Sequence, residues 1–311
     1  MNIPSSSAVT KNKRRKFSGT VAHTEHSLAI FGIPKSFEDP RTALIQRNAI
    51  LSWKQLAPDV DVILMGDDPG VAEFAAEHQL IHVPNLRRSA QGTPLLSDAF
   101  SQVQQVTDAP VLVYCNCDVM LLRDLMLAVE LIRTDRRFET FLAFGRREDL
   151  RLDCSIDLSN PQDVESLFQQ RKQASRWSPI VCKEYFIYSR NLFQTIPDFC
   201  VGRGNWDNWM VAHARSQGIP VINVSQLVSA VHQSHDYHHL QTSRLGCYVT
   251  CPEARENQRL AGGRHVARGC VATWNLTFRG IVPNRGAWLN KDFWLDLPNF
   301  LRMVFRLPFE R

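Results

Sequence analysis

The residues of this chain that are best suited to bind a ligand begin with Asn116 and Asp118, which directly follow the apolar run Val111 to Tyr114. Carboxylate and amide oxygens bind hard divalent cations, and in an open α/β sheet ligands bind beyond the carboxyl ends of the strands. The spacing therefore predicts that both side chains point into one crevice and hold a cation or a sugar phosphate. The alternative is an ordinary polar turn after a strand.

A second candidate is Asp207, which follows a loop containing Gly202 and Gly204. Glycines permit a tight or positive-φ loop, and the sequence after Trp206 has helical spacing to about Gln217. The position predicts either a functional carboxylate at the start of a helix or simply its N-cap. The neighbouring tryptophans are more typical of a core than of a substrate platform.

A third candidate is a group of histidines in which four of the ten in the chain fall within eight residues. They are His232, His235, His238 and His239. Neutral imidazoles are good ligands for borderline metals, and His235 is the best placed to complete a site begun by a distant carboxylate. The alternative is a polar loop whose histidines bond to the backbone.

The segments around these candidates alternate between strand and helix patterns. A strand is predicted from Leu28, and the next helix starts at Asp39 and Pro40. A second strand ends at Asp67 and Asp68, a third precedes a polar loop with Gly92 and Thr93, and a further helix leads to the strand before Asn116. This alternation predicts a doubly wound parallel sheet. The apolar residues assigned to buried helix faces are Ile45, Ala49, Trp53, Leu56, Leu96, Phe100, Val103 and Val106.

Beyond Asp118 the patterns predict a helix over about residues 122–133 and strands near 141–144, 185–188 and 221–224. Residues 146–177 are mostly polar, with a helix capped at Asn160, and are expected to form an insertion that faces the crevice. Residues 1–26 are expected to be a disordered basic tail, and residues 241–311 a C-terminal extension whose final amphipathic stretch packs on the core.

Composition limits the class of protein. A chain with 44% hydrophobic and 22% charged residues is typical of a globular protein. Five of the basic residues lie between Lys11 and Lys16, so the net charge of +5 leaves the remainder near neutral, and no nucleic-acid partner is expected. The eight cysteines lack zinc-site spacing, and no run of about twenty apolar residues occurs. A cytoplasmic protein is expected, with possible weak membrane contact through the C-terminal stretch.

Three of these stretches together resemble the motifs of nucleotide-diphospho-sugar-dependent glycosyltransferases with the GT-A fold. Asn116, Cys117 and Asp118 resemble the DxD motif, and residues 202–207 resemble the glycine-rich loop that leads into the acidic "xED" motif. The segment with His232 and His235 resembles the C-terminal histidine of the metal site. The resemblance covers about residues 27–240 and implies a single domain with a mixed, mostly parallel sheet sandwiched by helices.

The resemblance also implies a role for each candidate residue. Asp118 and His235 would bind Mn²⁺ or Mg²⁺, and Asp207 would be the general base of an inverting transfer from a nucleoside diphosphate sugar to an acceptor hydroxyl. The residues implied to contact the donor are Asp67, Asp68, Gly92, Thr93, Asn116, Gly202, Gly204 and Trp206. The chain departs from the motifs where Asn116 replaces the first aspartate and Trp206 replaces an acid, so a retaining mechanism stays open.

Other classes of protein remain alternatives at this stage. A sugar-phosphate nucleotidyltransferase would need a glycine-rich basic loop after the first strand, where Gly32 to Ser36 contains one glycine and one lysine. A non-catalytic carbohydrate- or protein-binding module on the same fold is consistent with the missing first aspartate. The acceptor, whether glycan, lipid or protein, is not predicted, because it depends on loop shapes.

Overall fold

The computed structural model describes residues 27–178, 183–234, 251–263 and 272–286. The strands are β1 (Leu28–Gly32), β2 (Val60–Met65), β3 (Ile81–Val83), β4 (Val111–Cys115), β5 (Val119–Leu121), β6 (Leu142–Phe144), β7 (Glu148–Leu150), β8 (Arg176–Trp177), β9 (Tyr185–Ser189), β10 (Val221–Asn223), β11 (Ala230–Gln233), β12 (Trp274–Thr277) and β13 (Gly280–Pro283). The helices are α1 (Pro40–Lys54), α2 (Val71–Glu77), α3 (Leu96–Val106), α4 (Asp124–Thr134), α5 (Pro161–Ala174), α6 (Trp206–Ser216) and α7 (Pro252–Leu260).

Within the described residues, the main sheet has nine strands in the order β13-β12-β10-β6-β9-β4-β1-β2-β3. Most neighbours pair in parallel, while β9 runs antiparallel to both β4 and β6, and β13 runs antiparallel to β12. The predicted α/β class with a mixed, mostly parallel sheet is therefore confirmed. Because β9 is reversed, the residues that precede it lie at the same sheet edge as the residues that follow β4.

Helices cover both faces of the main sheet. Alternate residues of β1 divide between two cores, with Leu28 and Ile30 facing α1, α2 and α4, and Ala29 and Phe31 facing α3 and α6. This alternation is the two-residue period of a strand that is buried on both sides. Among the predicted core residues of the helices, Val106 is the exception, because it is 36% exposed at the last turn of α3.

A smaller sheet, with the order β5-β11-β7-β8, lies over the end of β4. Helix α1 holds it in place through buried polar side chains, since Trp53 Nε1 donates to the Val119 carbonyl at 2.9 Å and Asn48 Nδ2 donates to Gln233 Oε1 at 2.9 Å. The backbone amide of Leu121 also donates to Ser52 Oγ at 3.1 Å. Such buried bonds are costly to leave unmade, so they fix the chain that directly follows Asp118 and the end of β11.

The polar segment 146–177 contributes β7, β8 and α5, and Asn160 caps α5 by accepting from the amide of Gln162. The described part of residues 241–311 contributes α7 and two strands that continue the main sheet from β10. The expected tail at 1–26 and the C-terminal amphipathic stretch lie outside the described residues. No described helix is both long enough and apolar enough to span a membrane.

Candidate functional site

The candidate site lies where the order of the parallel strands reverses. From β1 the chain proceeds to β2 and β3 on one side and then returns to β4 on the other, so the carboxyl ends of β1 and β4 flank a crevice. Such a reversal is where open α/β sheets bind nucleotides. Gly32 ends β1 there, and a Cβ on it would lie 2.6 Å from the Cys115 carbonyl oxygen, so only glycine allows this close approach.

Asn116 is fixed at this edge by two polar partners. Its Oδ1 accepts from the Tyr114 hydroxyl at 3.0 Å, and its Nδ2 donates to Glu184 Oε2. The backbone amide of Asn116 also donates to the Glu184 carbonyl at 3.0 Å. Glu184 immediately precedes β9 and had no part in the sequence prediction.

Asp118 faces a histidine from the small sheet. His232 Nε2 lies 3.5 Å from Asp118 Oδ2, and its Nδ1 lies 2.8 Å from Asp149 Oδ1. The imidazole is 5% exposed. Burial lowers the pKa of His232, but the two carboxylates outweigh burial and raise the pKa to about 9.

Arg147 links the remaining acids of this cluster. Its guanidinium bonds to Glu184 Oε1, and its Nε lies 3.0 Å from Asp149 Oδ1. Burial raises the pKa of Glu184, the Arg147 charge opposes this rise, and the Asp118 charge adds to it. We refer to Asn116, Asp118, Arg147, Asp149, Glu184 and His232 as the β4 cluster.

The raised pKa of His232 predicts a pH dependence of stability in the metal-free protein. The protonated form is favoured by folding, so its contribution is complete below pH 6.5 and is lost as the pH rises through about 9. The shift corresponds to at most about 3 kcal/mol. Urea unfolding of the wild type and His232→Gln at pH 6 and pH 10 should give a difference in unfolding free energy that shrinks with pH. A constant difference would contradict the pairing.

The β4 cluster contains candidate ligands for the divalent cation that the motifs imply. Among the described residues, no three His, Cys, Asp or Glu side chains are arranged to hold a metal ion. A pair is available, because Asp118 Oδ2 and His232 Nε2 face each other while Asp149 orients the far side of the imidazole. A carboxylate behind a ligating histidine is a common arrangement, and Mg²⁺ often takes only one or two protein ligands plus substrate phosphates. The donor set therefore fits a cation that is shared with a phosphate-bearing ligand. The predicted ligand His235 lies outside the described residues.

Asp207 lies in the first turn of α6, not at its N-cap. Asn205 is the N-cap, in the left-handed conformation with φ of 79°, after Gly202 with φ of 67°. The Asp207 side chain is 12% exposed, and its Oδ2 lies 3.4 Å from Nζ of Lys183, whose side chain is fully buried. Lys183 Nζ also donates to Asn208 Oδ1 at 2.9 Å. The consecutive residues Lys183 and Glu184 therefore connect Asp207 to the β4 cluster.

The predicted donor-binding residues after β2 and β3 are brought together by Arg88. Its Nη2 lies 2.5 Å from Asp67 Oδ1 and 3.1 Å from Asp68 Oδ2, while its Nη1 donates to the Gly92 carbonyl at 2.9 Å. Hydrogen bonding and charge from Arg88 lower the pKa of Asp67. Asp68 is about one-third exposed and Asp67 more so, so both carboxylates remain accessible.

Glu253 of α7 joins two loops that were predicted separately. Its Oε1 accepts from Ser89 Oγ at 2.5 Å, and its Oε2 accepts from Arg203 Nη2 at 2.7 Å. Burial raises the pKa of Glu253, but its hydrogen bonds to Ser89 and Thr93 and the charge of Arg203 outweigh this and lower it. The loop with Gly92 and Thr93 is thus tied to the loop with Gly202 and Gly204.

Trp206 is 5% exposed and packs in the core, with its ring centroid 5.2 Å from Tyr114 and 5.6 Å from Phe186. It therefore supports the Tyr114 hydroxyl that bonds to Asn116. Lys183, Glu184, Arg147 and Asp149 were missed by the sequence reasoning. Arg147 could have been found, because it follows the strand at 141–144 just as Asn116 follows β4.

Comparisons with known proteins give structural matches only. No family model matches the chain, and no curated protein matches it. The similar solved structures include residues 1–349 of S. aureus TarS in complex with UDP, at 10% identity and a TM-score of 0.44, covering 76% of this chain and 70% of that one. The complex of TarS with UDP-GlcNAc matches at 10% identity and a TM-score of 0.42, covering 91% and 84%.

Glucosyl-3-phosphoglycerate synthase from Mycobacterium tuberculosis, in complex with Mn²⁺, UDP-glucose and phosphoglyceric acid, matches at 15% identity and a TM-score of 0.46. This match covers 77% of this chain and 81% of that one. All three matches are at 15% identity or less and at TM-scores below 0.5.

Proposed function

We propose that this protein is a glycosyltransferase that moves a sugar from a nucleoside diphosphate sugar to an acceptor hydroxyl. The observation that carries the proposal is the convergence of Asp118, His232 and Glu184 at the carboxyl end of β4, beside the strand-order reversal at β1. A strand-order reversal favours a nucleotide, and the facing carboxylate and imidazole favour a cation-bound diphosphate. The acceptor could be a glycan, a lipid or a protein.

The β4 cluster would hold the diphosphate end of the donor. Asp118 and His232 would bind Mn²⁺ or Mg²⁺, and Asp149 would keep the imidazole oriented through its contact with Nδ1. A divalent cation bound there would neutralise negative charge on the departing nucleoside diphosphate. The base and ribose would lie along the Asp67, Asp68, Gly92 and Thr93 loops, where Arg88 joins the two acids to the Gly92 carbonyl.

Asp207 is proposed as the general base that accepts the proton of the acceptor hydroxyl, which implies inversion at the anomeric carbon. Its first-turn position on α6 and its link through Lys183 to Glu184 support this role. Asp207 is paired with the buried Lys183, so it would accept the proton with the Lys183 ammonium group still beside it.

The proposal is tested by release of nucleoside diphosphate from a panel of UDP-, GDP-, dTDP- and ADP-sugars with Mn²⁺, with simple glycosides and water as acceptors. We expect at least one donor to be turned over. A carbohydrate- or protein-binding module would release no nucleotide, and a nucleotidyltransferase would instead release sugar 1-phosphate when pyrophosphate is supplied. Either of those results would overturn the proposal.

If Asp207 is the general base, Asp207→Asn should lower kcat without weakening nucleotide binding. We expect kcat to fall about 100-fold or more, because general-base catalysis contributes at least that factor. The affinity for the free nucleoside diphosphate, measured by calorimetry, should stay within about threefold, since the substitution leaves the β4 cluster intact. Retention of more than half of kcat in a folded variant would exclude Asp207 as the base.

A further inference from the structure

The departure of Asn116 from an acidic motif has a counterpart on the neighbouring strand. In the antiparallel register of β4 and β9, Cys115 pairs with Tyr185, so the next pair along is Asn116 and Glu184. The Asn116 amide donates to the Glu184 carbonyl at 3.0 Å, so the backbone hydrogen bonding of the two strands continues one pair beyond their ends. Side chains of directly paired residues lie on the same face of a sheet. Asn116 and Glu184 thus point together into the crevice.

The hydrogen bonds of Asn116 explain why this position carries an amide. The Tyr114 hydroxyl donates to its oxygen, so its nitrogen is the atom that faces Glu184 Oε2. An aspartate here would place a second carboxylate against that of Glu184, where like charges repel. The other Glu184 oxygen meets the guanidinium of Arg147, which can only donate. Both carboxyl oxygens of Glu184 thus accept hydrogen bonds, one from Asn116 and one from Arg147.

Glu184 also decides the charge balance of the β4 cluster. The cluster contains three carboxylates, on Asp118, Asp149 and Glu184, and two basic groups, on Arg147 and His232. An imidazole that binds a cation is neutral, so Arg147 is then the only fixed positive charge in the cluster, and Glu184 supplies one of the three negative charges around it. The Glu184 side chain is 18% exposed and Asp118 is 26% exposed, so both contribute to the potential at the crevice.

We propose that Glu184 supplies, from the start of β9, the negative charge that position 116 lacks, and that Asn116 serves to hold Glu184 rather than to bind the cation. The acidic pair of the site is then divided between two strands, with Asp118 on the chain after β4 and Glu184 before β9. Glu184 acts through the charge of the cluster and is a positioning residue. This inference rests on the proposed function for its ligand, a divalent cation shared with a diphosphate.

The test exchanges the two side chains. Binding of Mn²⁺ is measured by electron paramagnetic resonance titration, without nucleotide and with UDP, in the wild type, Glu184→Gln and the double variant Asn116→Asp with Glu184→Gln. We expect Glu184→Gln to weaken Mn²⁺ binding roughly tenfold, within the range for outer-shell partners of metal sites. The double variant restores one carboxylate and one amide with their positions exchanged, so its affinity should return to within about threefold of the wild type.

A purely structural role for Glu184 predicts a different pattern, because Glu184→Gln keeps a hydrogen-bond acceptor for Asn116. Unchanged Mn²⁺ affinity in that variant, or no recovery in a folded double variant, would overturn the inference. If Glu184→Gln does not fold, the double variant alone decides. Glu165→Gln on the exposed face of α5 is the matched control for removing one carboxylate, and its Mn²⁺ affinity should equal that of the wild type.

The outcome is distinguishable from failure of the proposed function. A wild type that binds Mn²⁺ more tightly than Glu184→Gln but turns over no sugar donor would leave the inference standing and remove the glycosyltransferase. A wild type that turns over a donor but binds Mn²⁺ no more tightly than Glu184→Gln would support the glycosyltransferase and overturn the inference. A wild type that binds no Mn²⁺, with or without UDP, would overturn the inference.

Discussion

Replacing Asp118 with asparagine is expected to lower kcat/KM for the sugar donor by roughly 1,000-fold, corresponding to about 4 kcal/mol of lost transition-state stabilisation. The substitution keeps the shape of the side chain but removes the charge that faces His232 Nε2 at 3.5 Å. On the proposed function, the cation would lose the carboxylate that Asp118 supplies, while the loops with Asp67 and Gly92 are unchanged. Steady-state nucleotide release at saturating Mn²⁺ measures the effect.

Asp68→Asn serves as a comparison, because it also removes one carboxylate from the crevice edge but lies on the β2 loop beside Arg88. We expect Asp68→Asn to raise KM with little change in kcat. If Asp118→Asn retained a tenth or more of wild-type kcat/KM while folded, Asp118 would not be part of the reaction site.

Replacing Lys183 with methionine is expected to lower the free energy of unfolding by about 3–5 kcal/mol, the usual cost of leaving one member of a buried ion pair without its partner. Lys183 is fully buried, and Asp207 and Asn208 both face its ammonium group. Methionine fills a similar volume, so the loss reports the charge rather than a cavity. Urea unfolding followed by tryptophan fluorescence measures it.

Adding Asp207→Asn to Lys183→Met removes the uncompensated charge and should recover a large part of the lost stability. The two single variants and the double variant form a cycle that isolates the interaction of the pair. A cost below about 1 kcal/mol for Lys183→Met would mean that the pair contributes little, and that Asp207 is held by its helix alone.

Helix starts and strand runs were predictable because their signals are local. Asp39 caps α1 by accepting from the Thr42 amide, and Pro40 is its first residue, as the sequence predicts. The apolar run before Asn116 became β4, and Asn160 caps α5. The predicted N-cap alternative for Asp207 was wrong by two residues, because Asn205 adopts a left-handed conformation that a single sequence does not reveal.

The small sheet and the partners of Asn116 were not predictable, because they depend on pairings between distant segments. β5 follows Asp118 so closely that it reads as the start of a helix, and β7 is a three-residue strand inside a polar segment. Glu184 precedes a strand, where no ligand residue is expected in a parallel sheet. Only the reversed direction of β9 brings it to the edge where β4 ends.

The histidine-rich segment shows how composition can leave the individual residue open. The sequence places several histidines together and predicts His235 as the ligand, which lies outside the described residues. Among the described residues, β11 turns His232 toward Asp118 through pairing with β5 and β7. The side-chain period of a strand decides which residue faces the site, and that period begins only where the pairing begins. Which histidine faces Asp118 therefore depends on where β11 pairs with its neighbouring strands, and composition does not give that position.

The most direct test of the account is calorimetric titration of the wild type and Asp118→Asn with UDP, GDP, dTDP and ADP, each with and without Mn²⁺. We expect that at least one nucleotide binds the wild type and that Mn²⁺ tightens this binding by a factor of ten or more, equivalent to about 1.4 kcal/mol. Asp118→Asn should abolish the effect of Mn²⁺. Absence of binding by all four nucleotides, or an equal effect of Mn²⁺ in both proteins, would contradict it.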